Sequence, residues 1–162
     1  MGKFLSSVLA LLLVLAACER NGDANPDAPT TYSGNWVTFS YPRSWTLTEG
    51  NQQEAITISI QGPHDALFTV HIRSLEQAPA LEDFIAAQGD AENLLPTGRP
   101  AASGRLHGFN QSINLDGVAY QREYHRIDSH DEAAYLVSQV PSAEAIRVQA
   151  GLDRIFTTFA FQ

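Results

Sequence analysis

The chain has 162 residues, enough for one ordinary domain and too few for two of full size. Ten Lys and Arg stand against 18 Asp and Glu, a net charge of −8, which argues against a nucleic-acid binder because phosphate counterions are displaced by a basic face. One Cys cannot form an internal disulfide or supply a Cys-rich zinc site, while 44% hydrophobic residues suffice for a single packed core.

Met1-Gly2-Lys3 forms a short positive start, and Phe4 to Ala17 is an apolar run broken only by Ser6 and Ser7. Its 14 residues reach roughly 21 Å as a helix, short of the roughly 30 Å hydrocarbon core of a bilayer. A secretory signal peptide therefore fits better than a transmembrane helix. Met1-Gly2 with Ser6 also matches an N-myristoylation pattern, but that modification needs no apolar run behind it.

The run ends in Leu15-Ala16-Ala17-Cys18. This tetrapeptide resembles the bacterial lipobox at all four positions: an aliphatic residue, two small residues and the Cys. The resemblance implies diacylglyceryl transfer to Cys18, cleavage between Ala17 and Cys18, and acylation of the new amino group. Several acyl chains would anchor stably where one would not, because a buried CH₂ contributes about 0.8 kcal/mol. Cleavage would leave nine Arg, no Lys and 18 acidic residues, a net charge of −9. Such a surface is repelled by an anionic leaflet, so membrane attachment is expected through the lipid on Cys18 alone. Glu19 follows the Cys where Asp commonly causes inner-membrane retention in Gram-negative lipoproteins. The resemblance thus implies the periplasmic face of the outer membrane.

Residues 1–17 are accordingly expected as signal peptide, 18–33 as a flexible tether and 34–162 as the globular domain. Asn21 to Pro29 has no hydrophobic periodicity and is rich in Gly, Pro and Asn. Fifteen such residues would span about 20 Å root-mean-square and up to about 50 Å when stretched. A chain starting at Thr30 is expected to fold as a soluble monomer.

Val37, Phe39 and Tyr41 alternate with Thr38 and Ser40, the period-2 pattern of a half-buried strand, which stops at Pro42. Ile56, Ile58 and Ile60 repeat it within Ala55–Gln61, and Phe68, Val70 and Ile72 repeat it within Leu67–Leu75. Leu81, Phe84 and Ile85 follow Pro79 at helical spacing, with Leu94 and Leu95 extending that face. Residues 96–104 read as a Pro/Gly/Ala loop. Asp116-Gly117 is a tight-hairpin signal between Ser112–Leu115 and Val118–Ile127. Tyr135–Val140 is a further strand ended by Pro141. From Ser142, a plausible N-cap, to Phe159 the stripe Ile146, Leu152, Ile155, Phe156 and Phe159 predicts a helix, although Ala145–Ala150 alone would also suit a strand.

Hairpin strands with helices inserted at two points define an α+β domain. Phe39-Ser40-Tyr41-Pro42-Arg43-Ser44-Trp45 resembles the aromatic-x-Tyr-Pro-x-x-Trp opening of PsbP-like proteins, a fold shared with DcrB-type bacterial lipoproteins. Leu152 to Phe161 is similar to the family's terminal helix, with Thr158 where Ser is common. The resemblance implies an antiparallel sheet flanked by helices, an α/β/α sandwich. Pro42 would stop its strand and hold Tyr41 extended, with Tyr41, Trp45, Phe156, Phe159 and Phe161 expected as core.

No nucleophile elbow, phosphate-cradling Gly-rich loop with Lys, or HExxH occurs. Gly62 to Asp65 reads as a turn. His125-Arg126-Ile127-Asp128-Ser129-His130-Asp131-Glu132 gathers imidazoles and carboxylates that could ligate Zn²⁺ or Ni²⁺. Strand alternation sends His125 and Asp128 to opposite faces, however. The segment is expected to be a polar hairpin tip without metal, where replacing His125 and His130 leaves stability nearly unchanged. The expectation is an envelope-tethered, non-catalytic binding or assembly module with no cofactor, no nucleic acid and an unidentified envelope protein as partner. The second expectation is a carrier of a small apolar ligand or lipid.

Overall fold

In the computed structural model, residues 25, 27–52, 55–89, 92–102 and 104–162 are described. Cys18, the cleavage site at Ala17 and most of the expected tether lie outside them. Alternating apolar residues set the strands. Val37 and Phe39 of β2 (Val37–Pro42), Ile58 and Ile60 of β4 (Ala55–Gln61), and Phe68, Val70 and Ile72 of β5 (Leu67–Ser74) are all buried. Their partners between and beyond are β1 (Pro29–Ser33), β3 (Thr46–Gln52), β6 (Leu95–Ala101), β7 (Gly104–Leu115), β8 (Val118–Asp128), β9 (Glu132–Pro141) and β10 (Ala160–Phe161). The helices are α1 (Leu81–Ala87) and α2 (Ala145–Thr158).

The described strands form two antiparallel sheets. Seven strands run in the order β3-β4-β5-β9-β8-β7-β6, and three run β1-β2-β10. α1 lies on one face of the large sheet, where Phe84 stacks on Tyr135 at 4.1 Å between ring centroids. α2 and the small sheet cover the other face, with Phe156 edge-on to Phe68 at 5.2 Å. The fold is α+β, an antiparallel sheet flanked by helices, as expected.

Several details of the strands correct the sequence reading. Pro29–Ser33, expected as the end of the tether, is strand β1 paired to β2, so a chain cut at Thr30 would lose its first residue. Residues 96–104, expected as a loop, contribute most of β6. Its Pro96 and Pro100 are tolerated because β6 is an edge strand, where a missing N–H costs no ladder bond. Leu94 does not continue the first helix, and Leu95 begins β6. β3 also forms a strand where no periodicity announced one.

α2 begins at Ala145, after a 3₁₀ turn Ser142–Glu144, so Ser142 is not its N-cap. Ile146, placed on the buried stripe, is 93% exposed; Val148 and Gly151 take the buried side with Leu152, Ile155 and Phe156. Gly151 is needed there because a Cβ would collide with the Trp45 indole and Pro42. Thr158 ends the helix by accepting a 2.8 Å hydrogen bond from the Ser40 amide and donating to the Arg154 carbonyl at 2.7 Å. Ala160–Phe161 then leaves the helix as β10, paired with Thr38 and Val37.

Candidate functional site

The space between α2 and the large sheet changes character along its length. Near β4, β5 and β2 it is filled by Phe39, Ile58, Ile60, Phe68 and Phe159. Toward β6, β7 and β8 it holds charges. Register explains which ones. Glu123 and His125 are two residues apart on β8 and so share the face toward α2, while Arg99 sits opposite Leu106 on the edge strand β6.

Arg99 Nε donates to Glu123 Oε2 at 2.6 Å, and Arg99 Nη1 donates to Asp153 Oδ1 on α2 at 2.5 Å. Gln149 Nε2 reaches the same Asp153 oxygen at 2.7 Å. The guanidinium also lies over the Phe156 ring, 4.7 Å from its centroid. His125 Nε2 donates to the other Glu123 oxygen at 2.9 Å, and its ring meets Phe156 edge-on at 5.2 Å. An ionised carboxylate only accepts, so this bond puts the imidazole proton on Nε2. His125 Nδ1 is buried without a hydrogen-bond partner among the described residues and lies against Gly108, where an added Cβ would come within 2.5 Å of it.

Burial alone would raise the Glu123 carboxyl, but the hydrogen bonds from His125 and Arg99, with the Arg99 charge, outweigh it and hold it below its ordinary value. A carboxylate so committed stays ionised and is a poor proton donor at neutral pH. The Arg99 charge is likewise taken up by two carboxylates. The network therefore braces α2 against the sheet, with one guanidinium set between two carboxylates.

Beside this network is a cleft of about 380 Å³, lined among others by Thr97, Asn110, Gln121, Ser138, Gln149 and Val140. Its lining combines these hydroxyls and carboxamides with the charged side chains of Arg99, Arg122 and Glu123. These suit hydrogen bonding to a polar partner rather than solvation of an alkyl chain.

The structure separates the two histidines that the sequence placed in one polar tip. His125 is fully buried, whereas His130 is 98% exposed beyond the β8 end. The expectation that both could be removed without consequence is corrected for His125, because β8 is long enough to carry it under α2. Arg126 and Asp128 do share the opposite face, joined at 2.7 Å, and Arg126 also donates to the Pro79 carbonyl at 2.6 Å. Among the described residues no group of three or more His, Cys, Asp or Glu is placed to hold a metal ion. His64 and Asp65 form a turn with positive φ, as read. Arg99, Glu123, Asp153 and Gln121 were missed as a site. Glu-x-His on a strand, pointing both side chains one way, was the available signal.

No protein-family model and no curated protein matches the chain. Solved structures do. LpqN of Mycobacterium tuberculosis, involved in cell envelope biogenesis, aligns over 86% of this chain and 87% of its own with a TM-score of 0.53 and 11% identity. A protein of Bacteroides thetaiotaomicron VPI-5482 aligns over 85% of this chain with a TM-score of 0.52 and 13% identity. The chain spans about half of that protein, 49% of its length. The cyanobacterial PsbP of Synechocystis sp. PCC 6803 aligns over 91% of this chain and 99% of its own, at 14% identity and a TM-score of 0.48. The likeness to LpqN and to the Bacteroides protein shows a shared fold. Among the described residues no helix is long and apolar enough to cross a membrane.

Proposed function

We propose that this chain is a lipid-anchored bacterial envelope protein whose domain serves as a non-catalytic binding or assembly module. The observation that carries the reading is Leu15-Ala16-Ala17-Cys18 at the end of a charged start and an apolar run. Cys18 would hold the lipid and keep the domain at the periplasmic face of the outer membrane. The Phe39–Trp45 resemblance supports placing the domain with PsbP-like proteins. The involvement of LpqN in cell envelope biogenesis supports an envelope setting.

A module is favoured over a carrier of apolar ligands by how the interior is filled. Phe39, Phe68, Phe156, Ile60 and Leu136 pack between the layers, and the cleft at their edge is polar. A module is favoured over an enzyme because Glu123 and Arg99 bind each other and His125 is sealed from solvent.

Cys18→Ser is expected to abolish incorporation of radiolabelled palmitate and to release the protein from the membrane fraction. Unchanged labelling in that variant would overturn the anchor. Native mass spectrometry of the purified protein is expected to show no bound lipid beyond the one on Cys18, and a stoichiometric second lipid would revive the carrier reading.

A further inference from the structure

The large sheet ends unevenly. β6 pairs with β7 only as far as Asn110, and β9 pairs with β8 only from Tyr120 on. Beyond those residues, among the described strands, only β7 and β8 continue, to a turn at Asp116 and Gly117, whose positive φ values of 52° and 85° suit a tight two-residue hairpin turn. Ile113 stands opposite Tyr120 and Leu115 opposite Val118, so these four side chains share one face of the arm. Leu115 is 39% and Val118 46% exposed. Among the described residues no strand pairs with Ser112–Leu115 on the outer side of β7.

Exposed edges of natural sheets are normally blunted by charge or proline. β6 carries Pro96 and Pro100. The arm has neither device: between Phe109 and Gln121 the sole charged residue is Asp116, in a protein of net charge −8.

We propose that this arm is a self-association surface, on which a second copy of the chain lays its own Ser112–Leu115 edge antiparallel to the first. Three observations select a second copy as the occupant. An open row of backbone N–H and C=O groups is satisfied by a strand and not by lipid tails, which would leave it unbonded. The added strand extends the apolar row only if its own alternate residues are apolar, as Ile113 and Leu115 are. Two acidic molecules also approach with least repulsion where charge is lacking. With Ile113 opposite the other copy's Leu115, antiparallel pairing puts the two Asp116 carboxylates at opposite ends of the contact, roughly 14 Å apart and beyond a Debye length of roughly 8 Å.

The contact covers few residues and falls below the roughly 800 Å² per partner of a standard interface. Association is therefore reversible, an alternative to the expected monomeric domain. Crosslinking is the fitting readout.

Full-length protein carrying Asn114→Cys, treated with a short bismaleimide, is expected to give dimers at least tenfold above the parent, whose only thiol is Cys18. Adding Leu115→Lys with Val118→Lys is expected to return dimers to the parent level, with an unchanged circular dichroism spectrum. Thr48→Cys, on the opposite sheet edge, is expected to stay at background. Dimers from Thr48→Cys equal to those from Asn114→Cys would mean random collision and overturn the proposal. So would dimers that survive the two lysines, or an Asn114→Cys thiol that yields only monomer and becomes shielded when phosphatidylglycerol vesicles are added.

Discussion

The two ends of the layer under α2 hold the same helix by different physics. At the β2–β5 end, contact is between rings and branched chains: Phe39 stacks on Phe159 at 6.1 Å and on Tyr32 at 5.0 Å, and Gly151 lets the Trp45 indole approach the helix axis. At the β6–β8 end, Arg99 bridges Glu123 of the sheet and Asp153 of the helix. Apolar packing tolerates any partner of the right volume. A buried charge tolerates only its counter-charge, so the polar end fixes how α2 lies over the edge strand even where it adds little net stability. The edge strand itself is weakly made, with two prolines, and needs such a tie.

Phe156 belongs to both ends, touching Phe68, His125 and Arg99. Its replacement should have the largest effect. Phe156→Ala is expected to cost about 3–5 kcal/mol in urea unfolding, from the cavity together with the lost cover over Arg99. Phe156→Leu should cost less than half as much; equal costs would show that the ring's contacts with Arg99 and His125, and not its volume, carry the effect.

Breaking the polar end alone comes next. Glu123→Ala is expected to cost about 3 kcal/mol, because Arg99 and His125 lose their common acceptor in a site with little solvent. The same group sets an acid response. Because the folded carboxyl is held below its unfolded value of about 4.3, its contribution is fully present above that value and is lost as pH falls through the lower, folded one. Glu123→Gln should therefore flatten the fall of the unfolding midpoint below about pH 4. A parallel fall in both proteins would assign the acid response to other carboxylates.

The smallest effects separate the two histidines. His125→Ala is expected to cost about 2 kcal/mol by leaving a cavity beside Gly108 and Phe156. His130→Ala should leave the midpoint within about 0.5 kcal/mol of the parent. Equal effects would contradict the burial difference on which the comparison rests.

The strands around Phe39, Ile58 and Val70 were legible because each has one wet and one dry face, which writes a period of two into the sequence. β1, β3 and β6 were not legible, for a common reason. They are edge strands or carry polar residues on both faces, so their pairing is decided by neighbours brought in from elsewhere in the chain. Of the polar end, the Glu123-x-His125 spacing was visible, but Arg99 and Asp153 lie 24 and 30 residues from Glu123 on different elements. No local pattern joins them.

By itself the sequence determined the α+β class, the Asp116-Gly117 turn, the central strands, and the lipobox resemblance that motivates an anchor at Cys18. Each depends on interactions within a few residues or on a short contiguous motif. Only the tertiary structure decided that His125 lies under a helix, that Ile146 faces outward, that Gly151 makes room for Trp45, and that the hairpin arm outruns both neighbouring strands. Those outcomes depend on which elements meet and at what register, and register is set by the sum of many contacts across the sheet.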